Sequence, residues 1–593
     1  MELLTRMMAL QEEHGAVTDE VLRALSLETR TPLYHLEGLR GFYPVFRSTP
    51  GEATQVQICR DIACAMKGGA GHCARVAEAL RDLPGVEVEE VSCLGRCDSA
   101  PASAINEVPV SGTPAEIRAY AAGDTPLPPD EPATPNRWPT DPYPDQAARY
   151  GVLRKLLAAA DGEAGRKEVV DTLKAAGLRG MGGAGFPTGM KWDFTARAQG
   201  DPKYVVCNAD ESEPGTFKDR MILEELPHLM IEAMVLGGWV TGANEGIVYL
   251  RHEYGREKKA LQAALEAARQ AGAIGPSVLG SGFAFDLRIF VSPGGYILGE
   301  ETAMLEALED KRGEPRNKPP FPTNHGLWGK PTLINNVETF AAIPVILHKG
   351  AEWWNAQGKG DFQGLKYLSV SGDVADPGVY CVPMGTTIAE LLDICGGVPG
   401  GKALGAFAPG GASSNFLPAN KADVPLDFQA LQEAGSMLGS GAVIFAGEDR
   451  DLLELALNVT RFFRNESCGK CVPCRVGSHK AVALVEAALN ETGPNETALH
   501  ETALHETAPE GTPQPGLAGL LGELNHTLAR TSICGLGQVA LGPLMSVIEN
   551  FPAAAKRLEN TAAKRLDNTA ASRLDPGGDL EKDGGTDKKG SGP

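Results

Sequence analysis

Three cysteines, Cys468, Cys471 and Cys474, stand at intervals of three in E-S-C-G-K-C-V-P-C-R. A C-x2-C-x2-C loop offers three thiolates to a metal cluster, and Cys534 in T-S-I-C-G-L-G is the fourth ligand a cubane needs. A contiguous triplet with one remote member suits [4Fe-4S]. Zinc is the alternative, although its four-thiolate sites more often use two separated C-x2-C pairs. Lys470 and Arg475 lie beside the triplet and favour thiolates. A second quartet joins C-R-D-I-A-C (Cys59, Cys64) to C-L-G-R-C (Cys93, Cys97). Each pair follows a predicted strand, so both loops can meet at one end of a small sheet, as a [2Fe-2S] site requires, again with zinc as the alternative. Cys73 is a spare thiol, and Cys207, Cys381 and Cys395 lie in strand or helix patterns as core residues.

Between the quartets lies a glycine-rich stretch, R-G-M-G-G-A-G-F-P-T-G-M-K-W, at 179–192. It satisfies G-x-G-x-x-G through Gly180, Gly182 and Gly185. The residues before it, K-E-V-V-D-T-L-K-A-A-G-L, read as a helix, whereas the ordinary dinucleotide fingerprint follows a strand. What remains is the physics of a loop whose backbone N–H groups can approach a phosphate, with Lys191 adding a point charge. Downstream, C-N-A-D-E-S-E-P-G-T-F-K-D-R places Asp210, Glu211 and Glu213 within four residues, and G-G-Y-I-L-G-E-E-T-A carries Glu300 and Glu301. An isolated acidic pair is usually a solvated loop. Here both acidic groups accompany Phe186, Phe194, Tyr296 and Phe321, which suggests a site for an aromatic ring bearing ribityl or ribose hydroxyls.

The elements that must hold these residues follow from apolar periodicity. Residues 1–46 show helical spacing broken by Gly15 and Pro32, a small helical bundle. Residues 54–122 run β, α, β. Residues 123–148 are proline-dense and read as an extended linker. From 149 to 360, runs such as Y-V-V-C-N alternate with amphipathic helices such as 257–270, predicting an α/β layer structure. Residues 361–445 form a short β-rich module with a helix at 387–394, and 446–548 a helical segment holding the first quartet. Its insertion, 489–515, nearly repeats E-T-A-L-H, and the tail, 549–593, repeats A-A-K-R-L-[ED]-N-T; both read as low-complexity segments, the tail as disordered.

Composition narrows the classes. A formal charge of −21 repels nucleic-acid phosphates, so no nucleic-acid partner is expected. No run of about 18 apolar residues exists, so no direct membrane span is expected. The first residues, M-E-L-L-T-R-M-M-A-L-Q-E-E-H, lack a continuous apolar core and a cleavage site, which points to a cytoplasmic protein.

Together, R-G-M-G-G-A-G-F-P-T-G-M-K-W, C-N-A-D-E-S-E-P-G-T-F-K-D-R, G-E-E-T-A, P-T-L-I-N-N-V-E-T and E-S-C-G-K-C-x-P-C-R resemble the FMN-carrying, NADH-oxidising subunit of respiratory complex I, shared with the diaphorase subunits of NAD-linked hydrogenases and formate dehydrogenases. Residues 1–122 resemble its thioredoxin-like [2Fe-2S] companion subunit, so the chain looks like a fusion of the two. The resemblance implies an α/β multidomain protein: a thioredoxin-like N-terminal domain, a Rossmann-like FMN/NADH domain, a small ubiquitin-like β-grasp module and a C-terminal helical [4Fe-4S] bundle. It implies an FMN site formed by Gly180, Gly182, Lys191, Asn208, Asp210, Glu211, Tyr296, Gly299, Glu300, Asn335 and Asn336. NADH would lie near Glu213, with Phe186, Phe194 and Phe321 at the adenine end and Glu301 on its ribose, where a carboxylate disfavours NADPH. No catalytic acid or base beyond the flavin is required. Hydride passes to FMN and single electrons to the cluster on Cys468, Cys471, Cys474 and Cys534, with the cluster on Cys59, Cys64, Cys93 and Cys97 as side acceptor or second exit.

The resemblance also implies further iron-sulfur subunits of a respiratory or soluble redox complex as partners, the cytoplasmic membrane face being reached through them. The main expectation is a complex I-like NADH dehydrogenase input module. The alternatives are a hydrogenase or formate dehydrogenase diaphorase, and a zinc-stapled assembly protein without catalysis. Two departures stand out. Arg60 and Arg96 add positive charge near the second quartet, expected to raise its potential, and Met181 replaces the family's arginine in the glycine loop.

Overall fold

The computed structural model describes residues 2–69, 71–129, 137–159, 162–489 and 516–559. The repeats at 490–515 and the tail from 560 lie outside the described residues.

The first sheet contains β1 (Thr54–Cys59), β2 (Val86–Val91), β3 (Ala102–Ile105) and β4 (Val108–Ser111) in the order β2-β1-β3-β4, a thioredoxin-like arrangement. β2 is an edge strand whose V-E-V-E-E alternation turns valines to the core and glutamates outward. Its parallel register pairs Cys59 with Val91, so the loops carrying Cys64 and Cys93 leave the sheet at the same end. The helices Leu3–His14, Asp19–Thr29 and Leu33–Arg40 do not stand apart as a bundle. They share one apolar core with the larger α/β domain, and Asp310 of that domain accepts the N–H groups of Leu3 and Leu4, both at 2.9 Å.

The proline-dense segment is not a free linker throughout. From 137 to 148 it lies against the α/β domain and the first strand of the third sheet: Trp138 donates to Glu225 at 2.6 Å, Tyr143 to Glu232 at 2.7 Å, and Thr140 bonds the Tyr367 hydroxyl at 2.5 Å. Aromatic rings supply burial, while prolines reduce the chain entropy lost on docking.

The central sheet is fully parallel, in the order β7-β6-β5-β8, from β5 (Tyr204–Ala209), β6 (Glu245–Leu250), β7 (Asp286–Val291) and β8 (Thr332–Asn336). β5 is apolar along nearly its whole length, as a strand covered on both faces must be. The helix Pro227–Thr241, apolar all round and buried, seals one face. The chain runs from β5 through β6 to β7, then returns to β8 on the other side of β5. A topological switch point therefore opens at the carboxyl ends of β5 and β8, where α/β sheets bind ligands.

The third sheet, β10-β9-β13-β11-β12, is built from β9 (Leu365–Gly372), β10 (Gly378–Pro383), β11 (Leu404–Ala408), β12 (Leu417–Pro418) and β13 (Ala442–Gly447), with β13 parallel to β9. This is the β-grasp order. Lys366 of β9 is buried and donates to Glu338 of the α/β domain at 2.6 Å, while Lys218 reaches the same carboxylate at 2.9 Å. A carboxylate between two buried ammonium groups pins the module to its neighbour. The C-terminal region is helical, from Leu452–Asn465 and Val472–Leu489 to Leu517–Thr531 and Gly542–Asn550. A further helical stretch at 552–559 buries Leu558, so the expected disorder from 549 gives way to packed structure there.

Candidate functional site

A cavity of about 1040 Å3 opens at the switch point. Ligand pockets commonly run roughly 300–1,000 Å3, so this one has room for more than one nucleotide. All the residues assigned by resemblance to flavin and dinucleotide line it, drawn together from the glycine loop, the ends of β5 and β8 and the loop after β7. The β-grasp module adds Ser413 and Ser440 to the wall.

The glycine loop approaches the end of β8 so closely that a Cβ on Gly182 would lie 2.8 Å from Cβ of Asn336. Only glycine leaves this cradle intact. Lys191, from the helix Thr188–Arg197, donates to the Ile334 carbonyl at 3.0 Å and lies 4.0 Å from Glu301; burial lowers its pKa. Asn208 donates to the Gly299 carbonyl at 2.8 Å. Asn335 accepts from the Trp192 indole at 3.0 Å, and Asn336 caps the helix Val337–Lys349 by accepting from Glu338 N–H at 3.0 Å. Glycine N–H groups, a lysine, amides and a capped helix N-terminus form a donor set that fits a phosphate and a polar ribityl chain.

The carboxylates differ in how far the protein has committed them. Glu211 accepts Asp219 N–H at 2.9 Å, Arg220 N–H at 3.0 Å and the Tyr254 hydroxyl at 2.8 Å. It thus caps the helix Lys218–Glu225 at the cavity wall, and burial, reinforced by Asp219, pushes its pKa up to about 7. Asp210 is held by Ser212 and, at 2.9 Å, by Ser292; burial raises it to about 6. Glu213 accepts from Ser413 N–H at 2.6 Å, the Ser413 hydroxyl at 2.5 Å and the Tyr296 hydroxyl at 2.6 Å. Burial raises its pKa even against these three donors. Glu300 caps the helix Glu301–Leu308 and meets Lys318 at 2.9 Å. Burial works against the charge of Glu301, but Lys191 and Lys318 outweigh it and hold its pKa low, so it is ionised at neutral pH.

At the mouth, Phe186, Phe194 and Phe321 are 41%, 46% and 53% exposed, with the first two rings 6.4 Å apart. Large apolar rings left open beside a cavity are suited to stacking on a flat base. Met181 does not enter this cavity. It is buried in the α/β core, with its N–H donating to Thr339 at 2.8 Å.

The Cys468 quartet borders the same cavity. Cys534 precedes the helix Gly535–Val539, whose Gly535, Leu536 and Val539 form part of the wall. Burial raises Cys474 and Cys534 to about 11, so loading metal there must release protons. Among the described residues, no three His, Cys, Asp or Glu side chains are gathered as a site for a single ion. The contiguous cysteine triplet with one remote member is the donor set that suits [4Fe-4S].

The Cys59 quartet approaches from another side. All four thiols are free and buried, with Cys93 and Cys97 Sγ 3.5 Å apart, and hydrogen bonding to Cys64 and Cys93 raises the pKa of Cys59. Backbone N–H groups of Ala102 and Gly95 point at Cys64 and Cys93 Sγ at 3.3 and 3.4 Å, the donors an iron-sulfur cluster uses. Asp61, between the two cysteines of the first pair, accepts Cys93 N–H at 2.7 Å. The expected free charge of Arg96 is answered by Glu257 at 3.0 Å. Two further arginines hold this loop, each with its own acidic partner: Arg220, paired with Asp98 at 2.5 Å, donates to the Gly95 carbonyl at 2.8 Å, and Arg251, paired with Glu253 at 2.9 Å, bridges the carbonyls of Cys93 and Glu211. Arg220 closes C-N-A-D-E-S-E-P-G-T-F-K-D-R and Thr339 sits inside P-T-L-I-N-N-V-E-T, whereas Arg251, Lys318 and Ser413 had no motif to announce them.

Comparison with known proteins agrees with this geometry. Residues 1–119 match the thioredoxin-like [2Fe-2S] ferredoxin family, 173–345 the Nuo51 FMN-binding domain, 367–414 the SLBB domain and 454–558 the NADH-ubiquinone oxidoreductase-F iron-sulfur binding region. The NADH-quinone oxidoreductase F-subunit of Aquifex aeolicus is 41% identical over 404 residues, 68% of this chain and 87% of that protein. The NADP-reducing hydrogenase subunit HndC of Solidesulfovibrio fructosivorans is 41% identical over 403 residues, 68% of this chain and 77% of that protein. A crystal structure of an NAD+-reducing [NiFe]-hydrogenase in the H2-reduced state superposes with a TM-score of 0.78 at 30% identity, covering 96% of this chain and 98% of that one. With FMN-binding, [4Fe-4S] and [2Fe-2S] regions in one polypeptide, the chain belongs to the family of NADH-quinone oxidoreductase F-subunits, fused to a thioredoxin-like [2Fe-2S] domain.

Proposed function

We propose that this chain is the electron-input module of a complex I-like NADH dehydrogenase, an NADH:acceptor oxidoreductase that binds FMN and NADH in the 1040 Å3 cavity. The observation that carries the reading is the shared wall: Gly535 and Leu536, next to Cys534, line the cavity that also holds Glu213 and the glycine loop. Bound FMN supplies the exchange between a two-electron hydride donor and one-electron iron-sulfur carriers.

The chain's own residues bind, orient and exclude. Gly180, Gly182, Lys191, Asn335 and Asn336 hold phosphate and ring, while Asn208, Asp210, Glu211, Tyr296, Gly299 and Glu300 surround ring and ribityl. Glu213, fixed by Ser413 and Tyr296, stands beside the nicotinamide. Phe186, Phe194 and Phe321 stack the adenine, and ionised Glu301 takes the ribose hydroxyls and repels a 2′-phosphate. Cys468, Cys471, Cys474 and Cys534 hold the [4Fe-4S] cluster; Cys59, Cys64, Cys93 and Cys97 hold the [2Fe-2S] cluster.

In this reading the working units are 1–46, 54–122, 149–360, 361–445 and 446–548. Electrons leave for further iron-sulfur subunits. The protein works in the cytoplasm and meets the membrane through those subunits; among the described residues no helix is long and apolar enough to cross it. The near end-to-end match to the hydrogenase chain favours one second reading, a diaphorase in which flow runs toward NAD+.

Anaerobic NADH titration, followed by flavin absorbance and low-temperature EPR, tests the proposal. Flavin bleaching with two distinct cluster signals is the expected result. A cubane signal alone removes the [2Fe-2S] assignment, and no response to NADH removes the whole reading. NAD+ reduction driven by reduced viologen, faster than NADH oxidation by quinone, favours the diaphorase.

A further inference from the structure

The glycine loop lies between two spaces. In front is the large cavity; behind is a smaller one of about 280 Å3, lined by Leu178, Met181 and Phe428 among others. The base of the loop is closed by its own backbone: Gly180 N–H donates to the Phe186 carbonyl at 2.9 Å, and Thr188 N–H to the Leu178 carbonyl at 2.8 Å. The crown is a different matter. Gly183 and Gly185 both have positive φ, 132° and 62°, a backbone that glycine enters and leaves easily. Such a crown gains little order from its own sequence.

Order comes from the β-grasp module. Phe428, the first residue of the helix Phe428–Glu433, packs against both the α/β core and the β-grasp core. The Arg179 guanidinium lies 4.5 Å from the centre of its ring and donates through Nε to the Gly185 carbonyl at 2.6 Å. A Cβ on Gly185 would fall 2.8 Å from the Phe428 ring, so ring and crown are already in van der Waals contact. Phe428 thus supports the crown directly and aims the arginine that holds it. The next residue is Phe186, at the mouth of the cavity.

We infer that Phe428 is a positioning residue for dinucleotide binding: from the β-grasp module, and through Arg179, it keeps the Gly185–Phe186 crown forward against the nucleotide and out of the space behind. The inference rests on the NADH reading above and adds a role for a residue outside the cavity. Its cost when lost is that of ordering the loop on binding, and it falls on affinity because Phe428 touches no reacting atom.

The test compares Phe428→Ala, Phe428→Tyr and Arg179→Lys in the full chain. Calorimetry measures ADP-ribose binding, and NADH–ferricyanide kinetics separate KM from kcat. FMN content and the melting temperature report the fold. For Phe428→Ala and Arg179→Lys, the ADP-ribose Kd and NADH KM rise roughly three- to tenfold, the scale of one lost cation–π contact plus loop ordering, with kcat and FMN content retained. Phe428→Tyr keeps the ring and restores parental values. Should Phe428→Ala lose its fold, Arg179→Lys, which keeps the charge but not the Nε donor, decides alone. Unchanged Kd and KM in folded variants, with the parent binding normally, overturn the role of Phe428. A parent that binds neither ADP-ribose nor NADH overturns the nucleotide reading itself.

Discussion

Glu466 Oε1 accepts the Ser92 hydroxyl at 2.5 Å across 374 residues of sequence, while its Oε2 accepts the Tyr296 N–H at 3.0 Å. Ser92 adjoins Cys93, Tyr296 lines the cavity, and Glu466 lies two residues before Cys468. One carboxylate therefore ties together the loops of both cysteine quartets and the cavity wall.

Its removal should loosen all three loops at once. Hydrogen exchange in Glu466→Ala is expected to speed up at 92–97 and 294–299, and a double-mutant cycle with Ser92→Ala should give a coupling of about 1 kcal/mol. Additivity of the two substitutions would show that the bond carries no energy.

Tyr296 and Ser413 fix the two oxygens of Glu213, Tyr296 donating to Oε2 and Ser413 to Oε1. Tyr296→Phe leaves the ring packed on Phe462, centroids 4.9 Å apart, and deletes one donor. An increase of about tenfold in NADH KM is expected, the loss of one hydrogen bond to a charged group. Steady-state kinetics with ferricyanide read it directly.

The cysteines separate by iron content. Cys534→Ser should lose about four irons per chain and Cys97→Ser about two, whereas Cys73→Ser should lose none. Equal zinc in all three proteins would replace both cluster assignments.

Glu232 supplies a pH dependence far from either quartet. It is buried, accepting Leu153 N–H and the Tyr143 hydroxyl, and burial pushes its pKa from 4.5 up to about 7. The folded state thus retains a proton that the unfolded chain releases, and stability falls as pH rises from 4.5 to about 7. The loss is about 3 kcal/mol at most. Glu232→Gln should flatten this part of the curve, measured by denaturant unfolding at pH 5 and pH 8.

What could be read from the sequence was what chemistry confines to short spacing. The cysteine triplet, the paired cysteines after β1 and β2, the glycine loop and the Asn335–Asn336 pair each announce themselves within a dozen residues. The β, α, β order and the apolar strands followed from periodicity. Glu466 opens E-S-C-G-K-C-V-P-C-R, yet its partners Ser92 and Tyr296 are remote in sequence; Arg251, Lys318 and Ser413 had no signature at all, because what selects them is a contact made by the fold. The same reason hid the pairing of Arg96 with Glu257, which removes a charge that looked free beside the quartet. Residues 137–148 read as linker because prolines dominate; Trp138 and Tyr143, which dock it, are two among many residues.

The fusion of the two halves has a consequence for assembly. Arg220 and Arg251 grip the Cys93 loop through backbone carbonyls, a grip that two separate chains would have to find by collision and would lose on dilution. On one polypeptide, the partner is present at an effective concentration on the order of millimolar for a short tether. Stoichiometry is fixed at synthesis, and the docked state persists in extracts far too dilute to hold a weak heterodimer together.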